Sequence, residues 1–223
     1  MHPQSASLRT TLLACTLGLC LAGAMSGCNI VGPAVLLIEG PPKIDAAYEL
    51  PEKASVVIFI QDLSTPPIGR STRLAIAQAA QQDLLRVGVV KTVIDASGAF
   101  EAASTETASR RMDIQTIGRS VGADIVIYAT IDSFTLSSDG ATYTPAANFR
   151  AKVIDTNKDE DARLWPADPR GFAVIAQPVQ RPRKEPESRG EADKARSELA
   201  KLTGKTLAKL FYSHERWKPV GDR

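Results

Sequence analysis

Blocks of apolar residues alternate with polar turns along the chain and predict strands and helices in succession. Residues 54–60 form a continuous β-branched and aromatic run, typical of a strand that is buried on both faces. In residues 74–87 apolar side chains recur every three or four positions, which predicts an amphipathic helix. We expect Ser71 to cap this helix and Gly88 to end it.

The same alternation continues through the middle of the chain. Residues 89–95 predict a second strand, and residues 96–107 an irregular connection. A short second helix is expected over residues 112–121, stopped by Gly122. Residues 124–134 then predict a third strand, first continuously apolar and afterwards alternating.

The pattern changes after residue 136. Two further strands are predicted at 147–155 and 171–177, with residues 163–165 between them, and the short connections favour antiparallel hairpins. Residues 180–190 are charged and rich in proline, which indicates a solvated loop. Residues 191–212 predict a long amphipathic helix laid on the sheet. Its apolar stripe includes Ala195, Leu199, Leu202, Leu207 and Leu210.

These elements define the fold class as α/β, with the order β-α-β-α-β-β-β-α in a single domain. We expect a mixed sheet in a two-layer or three-layer arrangement. The domain organisation follows: a signal peptide over residues 1–27, a tether over 28–53, the α/β domain over 54–212 and a polar tail over 213–223.

The N-terminus has the layout of a secretory signal. A polar start with one positive charge, Arg9, is followed by an apolar run over residues 12–24. This run spans roughly 20 Å as a helix, short of the ~30 Å hydrocarbon core, so a permanent transmembrane helix is not expected.

The signal ends in Met25-Ser26-Gly27-Cys28, which resembles the bacterial lipobox. The resemblance implies that the chain is cleaved between Gly27 and Cys28, and that Cys28 carries diacylglyceryl and palmitate chains inserted in the bilayer. Several acyl chains give stable attachment. The alternative is an ordinary secreted protein, cut near Gly27, with a free thiol at Cys28.

The residues after Cys28 refine the location. By resemblance to lipoproteins that are sorted by this position, Asn29 in place of Asp favours the outer membrane, with the domain facing the periplasm. Residues 29–53 contain four prolines and predict a tether. The apolar run at 35–38 is expected to pack on the domain, on a partner or on the bilayer surface.

Composition excludes several classes of function. The chain has 27 Lys and Arg against 25 Asp and Glu, so it lacks the bulk positive field of a nucleic-acid-binding protein. Beyond residue 27 there is one Cys, Cys28, and one His, His214. Intramolecular disulfides, Cys/His zinc sites and paired-His catalysis are therefore not expected, and the sequence indicates no metal or cofactor.

Three short motifs resemble known sites without meeting their requirements. Gly204-Lys205-Thr206 copies the end of a phosphate-binding loop, but it lies within a predicted helix. Residues 155–159 begin like a calcium loop, yet Glu160 replaces the required Gly, so a solvated turn is the better interpretation. His214 lies beyond the last helix, where a positively charged side chain interacts favourably with the helix C-terminus. A catalytic role would need a nucleophile and an orienting acid.

Four carboxylates give the chain its alternative, enzymatic interpretation. Asp62, Asp95, Asp124 and Asp132 fall at predicted strand ends, where active sites of α/β proteins often form. A convergent pair would support glycoside hydrolysis. Capping and turn roles explain the same positions without chemistry.

Positive charge is concentrated in two places. Arg70 and Arg73 flank the start of the first helix, where they and free N–H groups would hold an anion, although a Ser71 cap with solvated arginines also explains them. Residues 181–223 carry a net charge of +5. This face suits anionic lipid, an envelope polymer or an acidic partner, and otherwise is a solvated surface.

The order of elements resembles a known lipoprotein fold. Residues 55–60 and the segment 117–127, which runs through Val121-Gly122-Ala123-Asp124 into an apolar strand, are similar to the fold shared by the curli-secretion channel subunit and the lipoprotein activator of penicillin-binding proteins. Residues 153–155 followed by 164–165 resemble the next hairpin of those proteins. The chain is also similar to uncharacterised lipoproteins that share Gly40-Pro41-Pro42-Lys43 and Tyr48-x-Leu50-Pro51.

The resemblance implies interaction and not chemistry, because members of that fold bind envelope proteins or assemble into rings and have no catalytic residues to transfer. No pair of ~10-residue alternating segments is present, which argues against a channel. We therefore predict a non-enzymatic envelope lipoprotein that binds, assembles or regulates another envelope protein. The oligomeric state is left open, and the alternative is an envelope hydrolase using the strand-end carboxylates.

Overall fold

The computed structural model describes residues 43–104, 113–137, 139, 142–159, 161–178 and 185–215. The chain divides into two compact units. The first contains residues 1–44 and 215–217, of which only Lys43, Ile44 and Glu215 are described. The second unit contains residues 45–214 and 218–223 and holds the α/β domain.

The elements alternate much as the hydrophobic pattern predicts. The strands are β1 (Lys43–Ile44), β2 (Ser55–Asp62), β3 (Thr92–Ile94), β4 (Ile125–Thr135), β5 (Ala146–Asp155), β6 (Arg163–Trp165), β7 (Phe172–Ala176) and β8 (His214–Glu215). The helices are α1 (Gly69–Val87), α2 (Ala96–Ser104), α3 (Ile114–Ser120) and α4 (Arg189–Ala208), followed by a 3-10 turn at Lys209–Phe211.

Six strands form one mixed sheet in the order β3-β2-β4-β5, with β6 and β7 both paired to the outer edge of β5. Strand β2 runs parallel to β3 and β4, while β5 is antiparallel to β4, β6 and β7. The predicted α/β class and mixed sheet are therefore confirmed.

The fold has three layers at β2, where both faces of the sheet are covered, and two layers at β5, where one face is covered. Residues 56–60 of β2 are all buried, whereas burial alternates along β5. Helix α4 contacts β5 and therefore covers its buried face. Across the register this face continues through Ile127 into Ile58. Phe59 points to the opposite face, where it packs on Phe100 of α2 with 5.1 Å between ring centroids.

Helix α1 begins differently from the prediction. Ser71 does not cap it, because the helix starts at Gly69 and Ser71 lies exposed in its first turn. The Ile68 N–H donates instead to the Asp62 carboxylate, 2.8 Å away. The predicted end is confirmed: Gly88 has a φ of +77°, and its N–H donates to carbonyl oxygens of the last turn.

Residues 96–104 form helix α2, so the predicted irregular connection is wrong in this part. The buried residues Ala96, Ala99 and Phe100 lie at helical spacing, with one large side chain among them. The rest of that connection, up to residue 107, lies outside the described residues. The next helix, α3, is capped by Asp113, whose carboxylate accepts from the Thr116 N–H at 2.6 Å.

The segment Arg163–Trp165 is a strand, which the predicted element order did not include. It pairs with β5 through Val153 to Trp165 and Ile154 to Arg163. The resemblance to a hairpin at these residues is thus confirmed. Strand β7 pairs with the earlier part of β5, from Ala147 to Ala151.

Helix α4 starts two residues earlier than predicted, because Ser188 caps it by accepting from the Glu191 N–H at 3.2 Å. It packs on the sheet, as predicted, and also along α1. Its fully buried residues are Ala195, Leu199, Ala200, Thr203, Gly204, Leu207 and Ala208. Leu202 and Leu210 of the predicted stripe are half-buried.

Part of the predicted tether belongs to the folded domain. Leu50 is buried in the core, and the Ala47 N–H donates to the Leu210 carbonyl at 2.7 Å. The Tyr48 ring lies 6.1 Å from that of Trp165. The domain therefore begins near residue 45, ahead of the predicted boundary at 54.

Candidate functional site

Three of the four candidate carboxylates lie toward the C-terminal ends of the parallel strands, with Asp95 directly after β3. Asp62 ends β2 in register with Ile131, next to Asp132 of β4. Ligand sites of open α/β sheets form outside this edge. The hydrolase hypothesis therefore depends on what these carboxylates contact.

Asp62 organises the turn into α1. Its carboxylate accepts from the Ser64 N–H at 2.9 Å, the Ser64 hydroxyl at 2.5 Å and the Ile68 N–H at 2.8 Å. Burial raises the pKa of Asp62, but these hydrogen bonds and the charge of Arg73 outweigh it, so the pKa lies below its ordinary value. Asp62 is thus an ionised carboxylate that holds the turn before α1 through hydrogen bonds from its own chain.

Asp95 and Asp132 also have structural partners. Asp95 accepts from the Ser97 N–H at 2.7 Å in the first turn of α2, and hydrogen bonds from Ser97 lower its pKa. Asp132 forms an ion pair with Arg150 of the neighbouring strand β5 at 3.3 Å. One residue caps a helix and the other joins two strands.

Asp124 lies at the opposite end of the sheet, where it clamps the start of β2. The Ser55 N–H and hydroxyl donate to its carboxylate at 2.9 and 2.7 Å, and the Asn157 amide donates at 3.3 Å. These bonds, led by that of the Ser55 N–H, lower the pKa of Asp124. Strand β2 separates this end from Asp62 by roughly 23 Å, beyond the roughly 5–9.5 Å of glycosidase pairs.

The predicted anion site at the start of α1 is occupied by the chain itself. The Ile68 N–H is bound to Asp62, and Arg70 is exposed. The Arg73 guanidinium lies 5.4 Å from the centroid of the Phe100 ring, a cation–π contact. Its Nε is buried and has no hydrogen-bond partner among the described residues. Arg73 therefore links α1 to α2.

The loop over residues 155–159 is held by α3. Arg119 pairs with the Asp159 carboxylate at 3.3 Å and donates to the Thr156 carbonyl, and the Gln115 amide donates to the Lys158 carbonyl. The Asn157 N–H donates to the Asp155 carboxylate at 2.9 Å. Within the described ranges, no group of three or more His, Cys, Asp or Glu side chains is placed to hold a metal ion.

The other two motifs also fall in structural positions. Gly204-Lys205-Thr206 lies inside α4, and the Thr206 hydroxyl donates to the Leu202 carbonyl of the preceding turn at 2.9 Å. His214 packs edge-on against Tyr212, with ring centroids 5.8 Å apart, and its Nδ1 lies 3.2 Å from the Tyr212 carbonyl oxygen.

A buried acid on α1 was missed by the sequence analysis. Asp83 is only 5% exposed, and its carboxylate accepts from the Tyr212 hydroxyl at 2.5 Å and from Arg86 at 2.6 Å. Burial, together with Asp83, raises the pKa of Tyr212 above its ordinary value. The detectable signal was an acid on the apolar stripe of α1, one position before the buried Leu84. This cluster ties the end of α4 to α1.

Two grooves flank α4, and the exposed Lys201 and Lys205 line both of them. The first groove, of about 430 Å³, lies between α1 and α4, and its α1 wall consists of Ala75, Gln78, Ala79, Gln82, Asp83 and Arg86. The second groove, of about 320 Å³, is more apolar. Its other lining residues are Tyr143, Pro145, Pro178, Ala195, Glu198, Leu199 and Leu202.

The predicted anchor lies outside the described residues. This applies to Gly27, Cys28 and Asn29 and to the apolar run at 35–38. Among the helices in the described part of the chain, none combines the length and apolarity needed to cross a membrane.

No protein family matches the chain, and no curated protein is significantly similar to it. Similar solved structures include the PelC dodecamer from Paraburkholderia phytofirmans, with a TM-score of 0.41, 12% identity and coverage of 76% of this chain and 91% of that one. Lipoprotein GNA1162 from Neisseria meningitidis has a TM-score of 0.38, 15% identity and coverage of 56% and 81%. The LpoB C-terminal domain from Escherichia coli has a TM-score of 0.33, 13% identity and coverage of 66% and 94%. A lipoprotein is thus among the solved structures that are similar to the chain.

Proposed function

We propose that the chain is a lipid-anchored, non-enzymatic envelope lipoprotein whose α/β domain binds another envelope protein. Acylated Cys28 holds it in the bilayer, and Asn29 directs it to the outer membrane, where the domain faces the periplasm. Residues 29–42 act as the tether, since β1 begins at Lys43 and the second compact unit at residue 45.

One observation supports a binding role over hydrolysis: each candidate carboxylate is engaged by a structural partner. Asp62 holds the turn before α1, Asp95 accepts from the first turn of α2, Asp124 joins two strand ends, and Asp132 pairs with Arg150. A general acid or nucleophile needs an oxygen directed at the substrate. Nothing in the contacts of these four residues favours the hydrolase alternative, so it is not carried further.

Crosslinking in intact cells tests the proposal. With the wild-type chain we expect a discrete adduct with an envelope protein. Cys28→Ser should remove the adduct by releasing the domain from the membrane, while Cys20→Ser, which changes a cysteine of the signal segment, should leave it. Asp62→Asn and Asp132→Asn should also retain it.

Two results would contradict this function. One is the absence of any adduct in cells that make normal amounts of the wild-type chain. The other is hydrolysis of an envelope polymer by the purified wild-type chain that Asp62→Asn or Asp132→Asn abolishes while the variant remains folded.

A further inference from the structure

We propose that the lysine ridge formed by Lys201 and Lys205, with its two grooves, is the docking site for an acidic segment of the partner protein. This inference rests on the proposed binding function and gives it a location and a chemistry. The acidic segment would lie across α4, with carboxylates on the ridge and apolar side chains in the groove beside Leu202.

The ridge is positively charged, although the buried Asp83 interacts electrostatically with Lys205. Lys201 and Lys205 lie four residues apart on α4, and Lys209 follows at the same spacing in the 3-10 turn, so their like charges repel one another. All three are exposed, and no ion pair of theirs is found within the described residues. The helix dipole favours cations in the last turn, which accounts for Lys205 and Lys209 but not for Lys201, a turn earlier.

The groove between α1 and α4 adds to this charge. Arg86 extends from α1 toward the same groove and is 68% exposed, although Asp83 neutralises it. Gln78 and Gln82 line the α1 wall of this groove, and their amides can donate hydrogen bonds to a peptide backbone and accept hydrogen bonds from it. The groove thus offers two unpaired ammonium groups and two amides on one side of the ridge.

The second groove supplies the apolar half of the site. Tyr143, Pro145 and Pro178 form one wall, and the half-buried Leu202 belongs to the α4 wall, next to Lys201 in the sequence. Glu198 of α4 also lines this groove. Apolar pockets beside a small number of fixed polar groups are typical of ligand sites. A segment that carries Leu among several Glu or Asp residues would match both grooves.

The shape of this surface favours a peptide over a lipid bilayer. Both grooves are concave, with volumes of about 430 and 320 Å³, and Leu202 lies at the side of one of them. A planar array of headgroups would reach the lysines alone. An extended chain reaches the lysines, the glutamine amides and the apolar wall together.

The test uses the full mature chain carrying Cys28→Ser, which removes the proposed anchor, and a fluorescent peptide of repeated Leu-Glu-Glu. Anisotropy at low and moderate salt gives the affinity. The combined variant Lys201→Glu and Lys205→Glu should weaken binding about tenfold or more, because two attractions become repulsions. Lys201→Gln with Lys205→Gln should give an intermediate loss. The control, Lys91→Glu with Lys158→Glu, changes the net charge equally at two exposed sites elsewhere and should stay within about twofold of the unsubstituted chain.

A peptide of repeated Ser-Glu-Glu should bind more weakly than the leucine peptide if the apolar groove is used. The inference is overturned if the leucine peptide does not bind saturably, or if both charge-reversal variants lose affinity equally. It is also overturned if vesicles of phosphatidylglycerol and phosphatidylethanolamine, and not the peptide, bind through Lys201 and Lys205. An envelope adduct that persists in the Lys201→Glu, Lys205→Glu chain would refute this site but leave the proposed function standing.

Discussion

Replacement of Gly204 by alanine tests whether α4 is locked against α1. Gly204 is buried in α4, and a Cβ at this position would lie 2.7 Å from the Ala79 Cβ, 2.9 Å from the Ala80 nitrogen and closer still to the Ile76 carbonyl oxygen. Normal contacts between nonbonded heavy atoms are about 3.5–4.0 Å. Two of the three neighbours are backbone atoms of α1, so one helix has to move by about 1 Å to accept the methyl group.

Two effects of opposite sign decide the outcome. Alanine is favoured over glycine in a helix interior by about 1 kcal/mol, which stabilises the variant. Overpacking a close contact costs about 1–3 kcal/mol, and the overlap with rigid backbone places Gly204→Ala at the upper end. The expected net effect is a loss of about 2 kcal/mol, which lowers the melting temperature by about 4–8 °C in a chain of this size.

Thermal unfolding of the mature chain, followed by circular dichroism, measures this effect. Gly190→Ala is the matched control, because it makes the same change in the first turn of α4, where nothing lies within 4 Å of the added methyl. The control should be neutral or slightly stabilised. A melting temperature for Gly204→Ala that rises with the control would show that helix propensity alone acts at Gly204, and the close helix crossing would be wrong.

Three further outcomes follow from the same structure. In urea unfolding, Leu199→Ala should lower the free energy of unfolding by about 2–5 kcal/mol, because Leu199 is only 2% exposed. Leu202→Ala should lower it clearly less, because Leu202 is half-buried, and equal losses would contradict the packing of α4. Tyr212→Phe should lower the free energy of unfolding by about 1–3 kcal/mol, because the buried Asp83 loses a hydrogen-bond donor. The same urea titration measures this loss, and an unchanged midpoint would refute the contribution of the Tyr212–Asp83 hydrogen bond. Folding lowers the pKa values of Asp83 and Asp124, so both carboxylates stabilise the fold above the unfolded pKa of about 3.9, and this stabilisation is lost as the pH falls through their folded pKa values. Asp124→Asn should therefore reduce the drop in melting temperature at acid pH. An unaltered drop would contradict the role of Asp124 in holding the start of β2.

The sequence predicted those elements that carry a strong hydrophobic period. The buried strand around Ile58, helix α1 with its Gly88 end and the strand at 125–135 are found where the pattern indicates them. Helix α2 was not predicted, because its buried face consists of alanines around Phe100 and therefore gives only a weak hydrophobic periodicity. The hydrogen bond from Ile68 to Asp62 at the start of α1 was not predicted, because Asp62 lies in the preceding strand, seven positions before the helix begins. Such a contact is not visible in local spacing.

The candidate site was predictable only in part. The four carboxylates could be placed at strand ends, but strand order and direction determine which ends meet, and Asp124 proved to lie at the opposite end of the sheet from Asp62. The lysine ridge is visible in the sequence as a repeat of four along a helix. Its two grooves depend on the packing of α1 and of Pro145 and Pro178 beside α4, which only the folded chain shows.

The intact mass of the chain extracted from membranes shows whether a lipid on Cys28 holds the domain there. We expect a chain that begins at Cys28 and carries the added mass of its acyl groups, with Cys28→Ser losing that mass and Cys20→Ser keeping it. Lipid anchoring at Cys28 would be wrong if the wild-type chain began at another residue, or began at Cys28 with no acyl mass.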